Sequence, residues 1–84
     1  MDKRFLTTKG GNPTKDQYVI REDDGTEELY SYGTLIGIRR PDGSLELTSA
    51  WNYSQTTNYY RGKWSGYGSP ETRKLIEQGK IKLI

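Results

Sequence analysis

Residues 34–50 read TLIGIRRPDGSLELTSA, and this stretch decides the fold class. In its first half Ile36 and Ile38 lie two apart, which puts both on one face of a strand with Leu35 on the other. Pro41-Asp42-Gly43-Ser44 then reads as a turn. Proline presets φ, aspartate accepts the bridge region, and glycine supplies a left-handed position. Beyond the turn Leu45 and Leu47 alternate inward with Glu46 and Thr48 outward. Two such runs about a tight turn predict an antiparallel hairpin.

Toward the N-terminus, ELYSY (28–32) continues the strand chemistry, with Leu29 and Ser31 on one face and Tyr30 and Tyr32 on the other. Gly33 interrupts it as a bulge. Asp23-Asp24-Gly25 is a second turn signal, and QYVIRE (17–22) reads as the strand before it. The Gly pair, Asn-Pro and threonines of TTKGGNPT (7–14) read as loop. Residues 1–14 are therefore expected to form a flexible arm ahead of a single domain over 15–84.

Toward the C-terminus the period changes. The Ser54 hydroxyl suits a helix N-cap, and Thr57, Tyr60 and Trp64 recur at helical spacing, with Tyr53 assigned to the same face. This predicts a helix over about 54–62 that leaves Tyr59, Arg61 and Lys63 on other faces. Thr56 and Thr57 either complete the cap or line a small polar pocket. Ser69 as cap, Pro70 at the first helical position, Glu71 in the first turn and Gly79 past the end frame a second helix anchored by Leu75 and Ile76. KIKLI (80–84) reads as a short final strand.

The expected architecture is α+β: an antiparallel sheet of three or four strands with two short C-terminal helices packed on one face. Its core draws on Val19, Leu29, Ile36, Ile38, Leu45, Leu47, Leu75, Ile76, Ile81 and Leu83. Ten aliphatics are few for a core, so Trp51, Tyr60 and Trp64 are assigned to it as well.

Composition limits the chemistry. The chain has 84 residues, no cysteine and no histidine. Disulfides, thiolate metal sites and every histidine-dependent triad are excluded. No GxSxG, phosphate-cradling or dinucleotide-binding glycine pattern is present, so no catalytic residue, metal ligand or cofactor is assigned. No apolar run is long enough to span a bilayer, and the start MDKRFLTTKGG has no apolar core of a secretory signal. A non-enzymatic cytoplasmic protein is expected. Net charge is +2, unevenly spread. Residues 1–57 carry seven basic and nine acidic groups, and residues 58–84 six and two.

Five of the ten aromatics fall within residues 51–64, interleaved with polar and basic side chains. With the structural aromatics set aside, the binding candidates are Tyr53, Tyr59, Arg61, Lys63 and Tyr67, with Arg39 and Arg40 nearby. Tyrosine and arginine beside one another suit a protein interface. They also suit stacking on bases with cations on phosphates, in which case Arg73 and Lys74 add phosphate contacts.

The runs LYSYGTLIGIR (29–39), WNYSQTTNYY (51–60) and ETRKLIEQGKIKLI (71–84) resemble small uncharacterised proteins of bacteriophages and archaeal viruses. These share a YGT-like strand start, a W-x-YS-x-TT signature opening a helix, and a basic tail. This sequence departs near the helix end, where Tyr60 and GKWSG replace an expected histidine and an apolar Phe-Leu pair. The resemblance implies a viral or mobile-element setting. It further implies an accessory protein that binds a host protein or complex, such as a CRISPR effector in the manner of an anti-CRISPR inhibitor. Nucleic acid or a nucleotide is the alternative partner.

Overall fold

The computed structural model describes residues 1–84 and is α+β. Six strands form one sheet: β1 (Asp2–Thr7), β2 (Pro13–Arg21), β3 (Glu27–Ser31), β4 (Thr34–Arg39), β5 (Leu45–Leu47) and β6 (Lys82–Leu83). Their spatial order is their chain order, β1-β2-β3-β4-β5-β6. Between β5 and β6 lie a 3₁₀ turn (Ser49–Asn52) and two helices, α1 (Gln55–Ser65) and α2 (Ser69–Glu77). No helix is long and apolar enough to cross a membrane.

The β2–β3 and β4–β5 turns are built alike. In one, Glu22 N–H bonds Thr26 O at 2.8 Å and Thr26 N–H bonds Asp24 Oδ1 at 2.9 Å. In the other, Arg40 N–H bonds Ser44 O at 2.9 Å and Ser44 N–H bonds Asp42 Oδ1 at 2.9 Å. The shared Asp-Gly pair supplies the side-chain acceptor and the left-handed residue. These bonds hold both carboxyls below the usual aspartate range, Asp24 chiefly through the Thr26 amide and Asp42 through Ser44.

The sheet departs from expectation at both edges. The arm expected over residues 1–14 is instead the edge strand β1, a turn, and the start of β2, with Arg4 opposite Val19 and Phe5 opposite Tyr18. As an edge strand β1 buries only Leu6, so its sequence shows almost no apolar alternation. The last strand pairs parallel to β5, not antiparallel, and Leu83 is exposed rather than part of the core. With both edges counted the sheet has six strands, where three or four were expected.

A register shift in the β3–β4 pair also corrects the faces. Leu29 pairs with Gly37, and Tyr30 pairs with Leu35. Ile36 is the extra residue of this bulge and joins the core, whereas Ile38, opposite Glu28, lies on the other face. The covered face thus carries Leu6, Val19, Leu29, Ile36, Leu45 and Leu47, under Trp51, Tyr60 and Trp64. Ile81 completes this cluster, and Leu75 and Ile76 of α2 pack against it half-buried. The aromatics do supplement the aliphatics, as expected.

The opposite face carries an aromatic row. Tyr18 stacks on Tyr30 at 5.3 Å and meets Phe5 edge-on at 5.8 Å, with Lys3 Nζ 4.3 Å from the Tyr18 ring. Cross-strand aromatic pairs of this kind stabilise a sheet surface that no helix covers.

Tyr32 and Gly33 join β3 to β4 with φ of 52° and 77°. Two positive φ values in a two-residue hairpin call for Asn-Gly, and a tyrosine in the first position is strained. Replacing Tyr32 with Asn raises unfolding free energy by about 1 kcal/mol, read from urea denaturation. No gain in stability would show that the turn is unstrained.

Candidate functional site

The register that builds the core also builds a cleft beside it. One row of the covered face, Val19–Leu29–Gly37–Leu47, lies beneath α1. The next row outward is Asp2–Arg21–Glu27–Arg39, paired across four strands. The last turn of α1 meets this row at its edge.

There Glu27 Oε1 accepts from Arg39 Nη1 at 3.0 Å and from the Trp64 indole N–H at 3.1 Å. Arg39 also donates to the Trp64 carbonyl, and its guanidinium lies 4.8 Å from the Trp64 ring centroid. These contacts tie the end of α1 to the sheet. They also satisfy a C-terminal carbonyl of the helix with a cation, which suits the helix dipole.

Around this junction runs a cleft. A cavity of about 400 Å³ is bordered by Arg4, Arg39, Lys63 and Trp64, and one of about 520 Å³ by Asp2, Arg4 and Arg21, with Glu27 common to both. A third, of about 320 Å³, continues past Arg21 and Arg39 to Arg40 and Asp24. The three adjoin one another at their shared lining residues, Arg4, Arg21, Glu27 and Arg39. None of the three ion pairs in the protein involves Arg4, Arg21 or Lys63. Those cations face solvent without carboxylate partners.

A family model matches residues 1–81: DUF8033, a family of unknown function. The chain belongs to this family. The match spans β1 through Ile81, so every cleft residue of this DUF8033 member lies inside it. No curated protein and no solved structure matches the chain.

The candidates read from sequence divide. Arg39 and Lys63 meet in the cleft, and Arg40 borders its far end, paired to Glu46 at 2.8 Å. Glu46 is also what raises the Arg40 pKa. Tyr59 is half-buried, with Lys9 Nζ and Lys63 Nζ each 5.5 Å from its ring. Tyr53 is 68% exposed and Tyr67 36%, but neither lines the cleft. Tyr53 precedes α1 and does not share the face of Tyr60 and Trp64. Arg73 and Lys74 are exposed on α2, and the Arg73 guanidinium is 5.3 Å from the Trp51 ring.

Arg61 is the clear correction. Expected at the surface, it is 0% exposed. Helical period explains this, because position 61 follows Thr57 by four residues and precedes Trp64 by three, on the buried face. Its Nη1 donates to Trp51 O and to Asn58 Oδ1, and Nη2 donates to Ser69 Oγ at 2.9 Å. Ser69 thus serves Arg61 and not the helix. The N-cap of α2 is Gly68, without a side-chain hydrogen bond. Burial lowers the Arg61 pKa from its ordinary value.

Arg4, Arg21 and Glu27 were not among the candidates. Arg4 lay in the supposed arm. The Arg21–Glu27 pairing was legible in principle, since a hairpin turning at Asp24-Gly25 sets those residues opposite each other.

Proposed function

We propose that the protein acts by binding, without turnover, and that it docks an acidic segment of a host protein into the Arg4–Arg21–Arg39–Lys63 cleft. The observation that carries this reading is the set of three unpaired cations around one already-neutralised carboxylate, Glu27. Complementary charge at such a surface steers encounter and fixes register more than it adds affinity. The resemblance to phage and archaeal-virus proteins supports a role as an accessory protein directed at a host defence complex, anti-CRISPR-like in kind.

A protein partner is favoured over nucleic acid because Asp2, Glu27 and Asp24 punctuate the cleft. A phosphate chain, charged at every unit, would set phosphates against those carboxylates, whereas a peptide can space its acidic side chains to meet the cations alone. The nucleic-acid reading keeps one observation of its own, the Tyr59 ring flanked by Lys9 and Lys63. An aromatic ring between cations suits a stacked base with its phosphates.

A Glu-rich decapeptide and single-stranded DNA and RNA oligonucleotides distinguish the two, followed at low salt through tryptophan fluorescence in a Trp51→Phe background that leaves Trp64 as the reporter. The peptide is expected to bind, and Arg21→Glu with Lys63→Glu weakens it by tenfold or more, roughly 1.4 kcal/mol. Tighter binding of an oligonucleotide, with a steep salt dependence, selects the second reading. No binding of either probe removes the cleft as a docking site.

A further inference from the structure

The sheet has two outer edges. β6 forms one with two residues, and β1 forms the other with six. Ladder alternation fixes which backbone groups β1 turns outward. Glu22 N–H bonds Thr26 O, and Tyr32 N–H bonds Asp16 O, so the even-numbered residues of β2 point their backbone groups at β3. Val19 and Arg21 then point theirs at β1, where they stand opposite Arg4 and Asp2. Asp2 and Arg4 therefore pair with β2, while Lys3 and Phe5 turn their N–H and C=O groups away from the sheet. The side-chain bonds that reach β1, from Thr14 to Leu6 O and from Lys63 to Thr7 O, leave those four groups free.

This edge opens onto the cationic cleft. Arg4, Phe5, Leu6 and Thr7 border the same cavity as Lys63. Lys63 Nζ lies 3.2 Å from Thr7 O at the end of the strand, and Arg4 stands midway along it on the covered face. On the other face Phe5 is 41% exposed and ends the row Phe5–Tyr18–Tyr30.

Cations on an edge strand ordinarily guard it against pairing with another chain. Here they repel a second copy of β1, which would bring its own Lys3 and Arg4 to the contact. They attract a strand of opposite charge.

We infer that the acidic partner segment binds as an added strand, paired to the outer edge of β1. Its recognition element is an acidic, an apolar and an acidic residue in succession. Opposite Arg4 and Leu6 the acidic side chains lie on the covered face, beside Arg4 and Lys63, and between them the apolar one lies beside Phe5. Lys3 and Phe5 supply two donors and two acceptors to the segment's backbone, the source of affinity when an extended peptide lengthens a sheet. This rests on the docking proposed above and adds to it the partner's conformation, its path and its sequence pattern.

The test uses the ¹⁵N-labelled full chain at low salt and the acetylated peptide Glu-Val-Glu-Val-Glu-Val. In the free protein the Lys3 and Phe5 amides are expected to exchange with solvent faster than that of Arg4. Saturating peptide slows both about tenfold. Two further peptides carry N-methyl groups, one on its valines and the other on its glutamates, with every charge kept. An added strand turns only one of these sets of amides toward β1. One methylated peptide is therefore expected to lose affinity about tenfold and the other to keep it. Lys3→Pro removes an outward N–H at an edge position where proline is tolerated, and it weakens binding more than Lys3→Ala, which removes the charge alone. Should Lys3→Pro disturb β1, the methylated peptides on the unaltered chain give the same decision.

Methylated peptides that bind alike, as well as the parent or equally worse, overturn the added strand and leave the cleft docking standing. Failure of the parent peptide to bind overturns both. Slowed exchange at Lys3 and Phe5 that rises with protein concentration, without peptide, makes the occupant a second copy and overturns the added partner strand as well.

Discussion

Replacing Gly37 with alanine destabilises the fold by about 3 kcal/mol, seen as a lower urea midpoint with an unchanged slope. A Cβ at this position would sit 2.6 Å from Leu47 Cδ2, 3.0 Å from Glu46 O and 3.1 Å from Trp64 Cζ3. None of these neighbours can retreat cheaply. Leu47 is 0% exposed, Glu46 O is backbone of the paired strand, and Trp64 is held by Glu27. Gly37 thus leaves the space on the sheet that the Leu47 side chain and the Trp64 ring of α1 fill. The same substitution at Gly43, where a Cβ meets nothing within 4 Å, perturbs only a turn with φ of 89°. It is expected to cost about 1 kcal/mol. Equal losses at the two sites would show that packing at Gly37 is not the cause.

Arg61→Ala costs about 3–5 kcal/mol, and Arg61→Met costs about half as much. The guanidinium joins the 3₁₀ turn through Trp51 O, α1 through Asn58, and α2 through Ser69, with its centre 5.1 Å from the Trp51 ring. Truncation to alanine opens a cavity and strands those acceptors in the interior. No carboxylate pairs with this buried charge, and Nε has no partner. Part of what arginine contributes is thus offset by its own desolvation, which methionine escapes while keeping much of the volume. Lysine restores the charge but not the fork that reaches two elements at once, and it is expected to rescue less than methionine. Equal damage from methionine and alanine, measured by urea unfolding, would place the whole effect in the hydrogen bonds.

The central hairpin was legible because its turn residues and its alternation agree. The Ser54 cap was legible because one hydroxyl before a helical period has few other uses. β1 was not, because an edge strand that contributes only Leu6 to the core needs no apolar pattern, and the Gly-Asn-Pro turn after it reads as disorder. Ile38 was assigned to the wrong face because a bulge inserts one residue and reverses parity from that point on. At the site, Arg39 and Lys63 were found by their proximity to aromatics. Arg4 and Arg21 gain meaning only once four strands are in register. Arg61 was misread because its charge was weighed above its helical position, although Thr57 and Trp64 already marked that face as buried.

The strand order has a kinetic consequence. Each of the strands β2 to β5 pairs with the one just before it, so the sheet can zip from hairpin to hairpin with little loop-closure entropy at any step. The sixth is different. Its partner β5 lies on the far side of both helices in sequence, and the pairing is parallel. That closure is expected only after α1 and α2 have settled, with Lys82–Leu83 as a latch fastened late, and deleting it is expected to speed unfolding more than it slows folding.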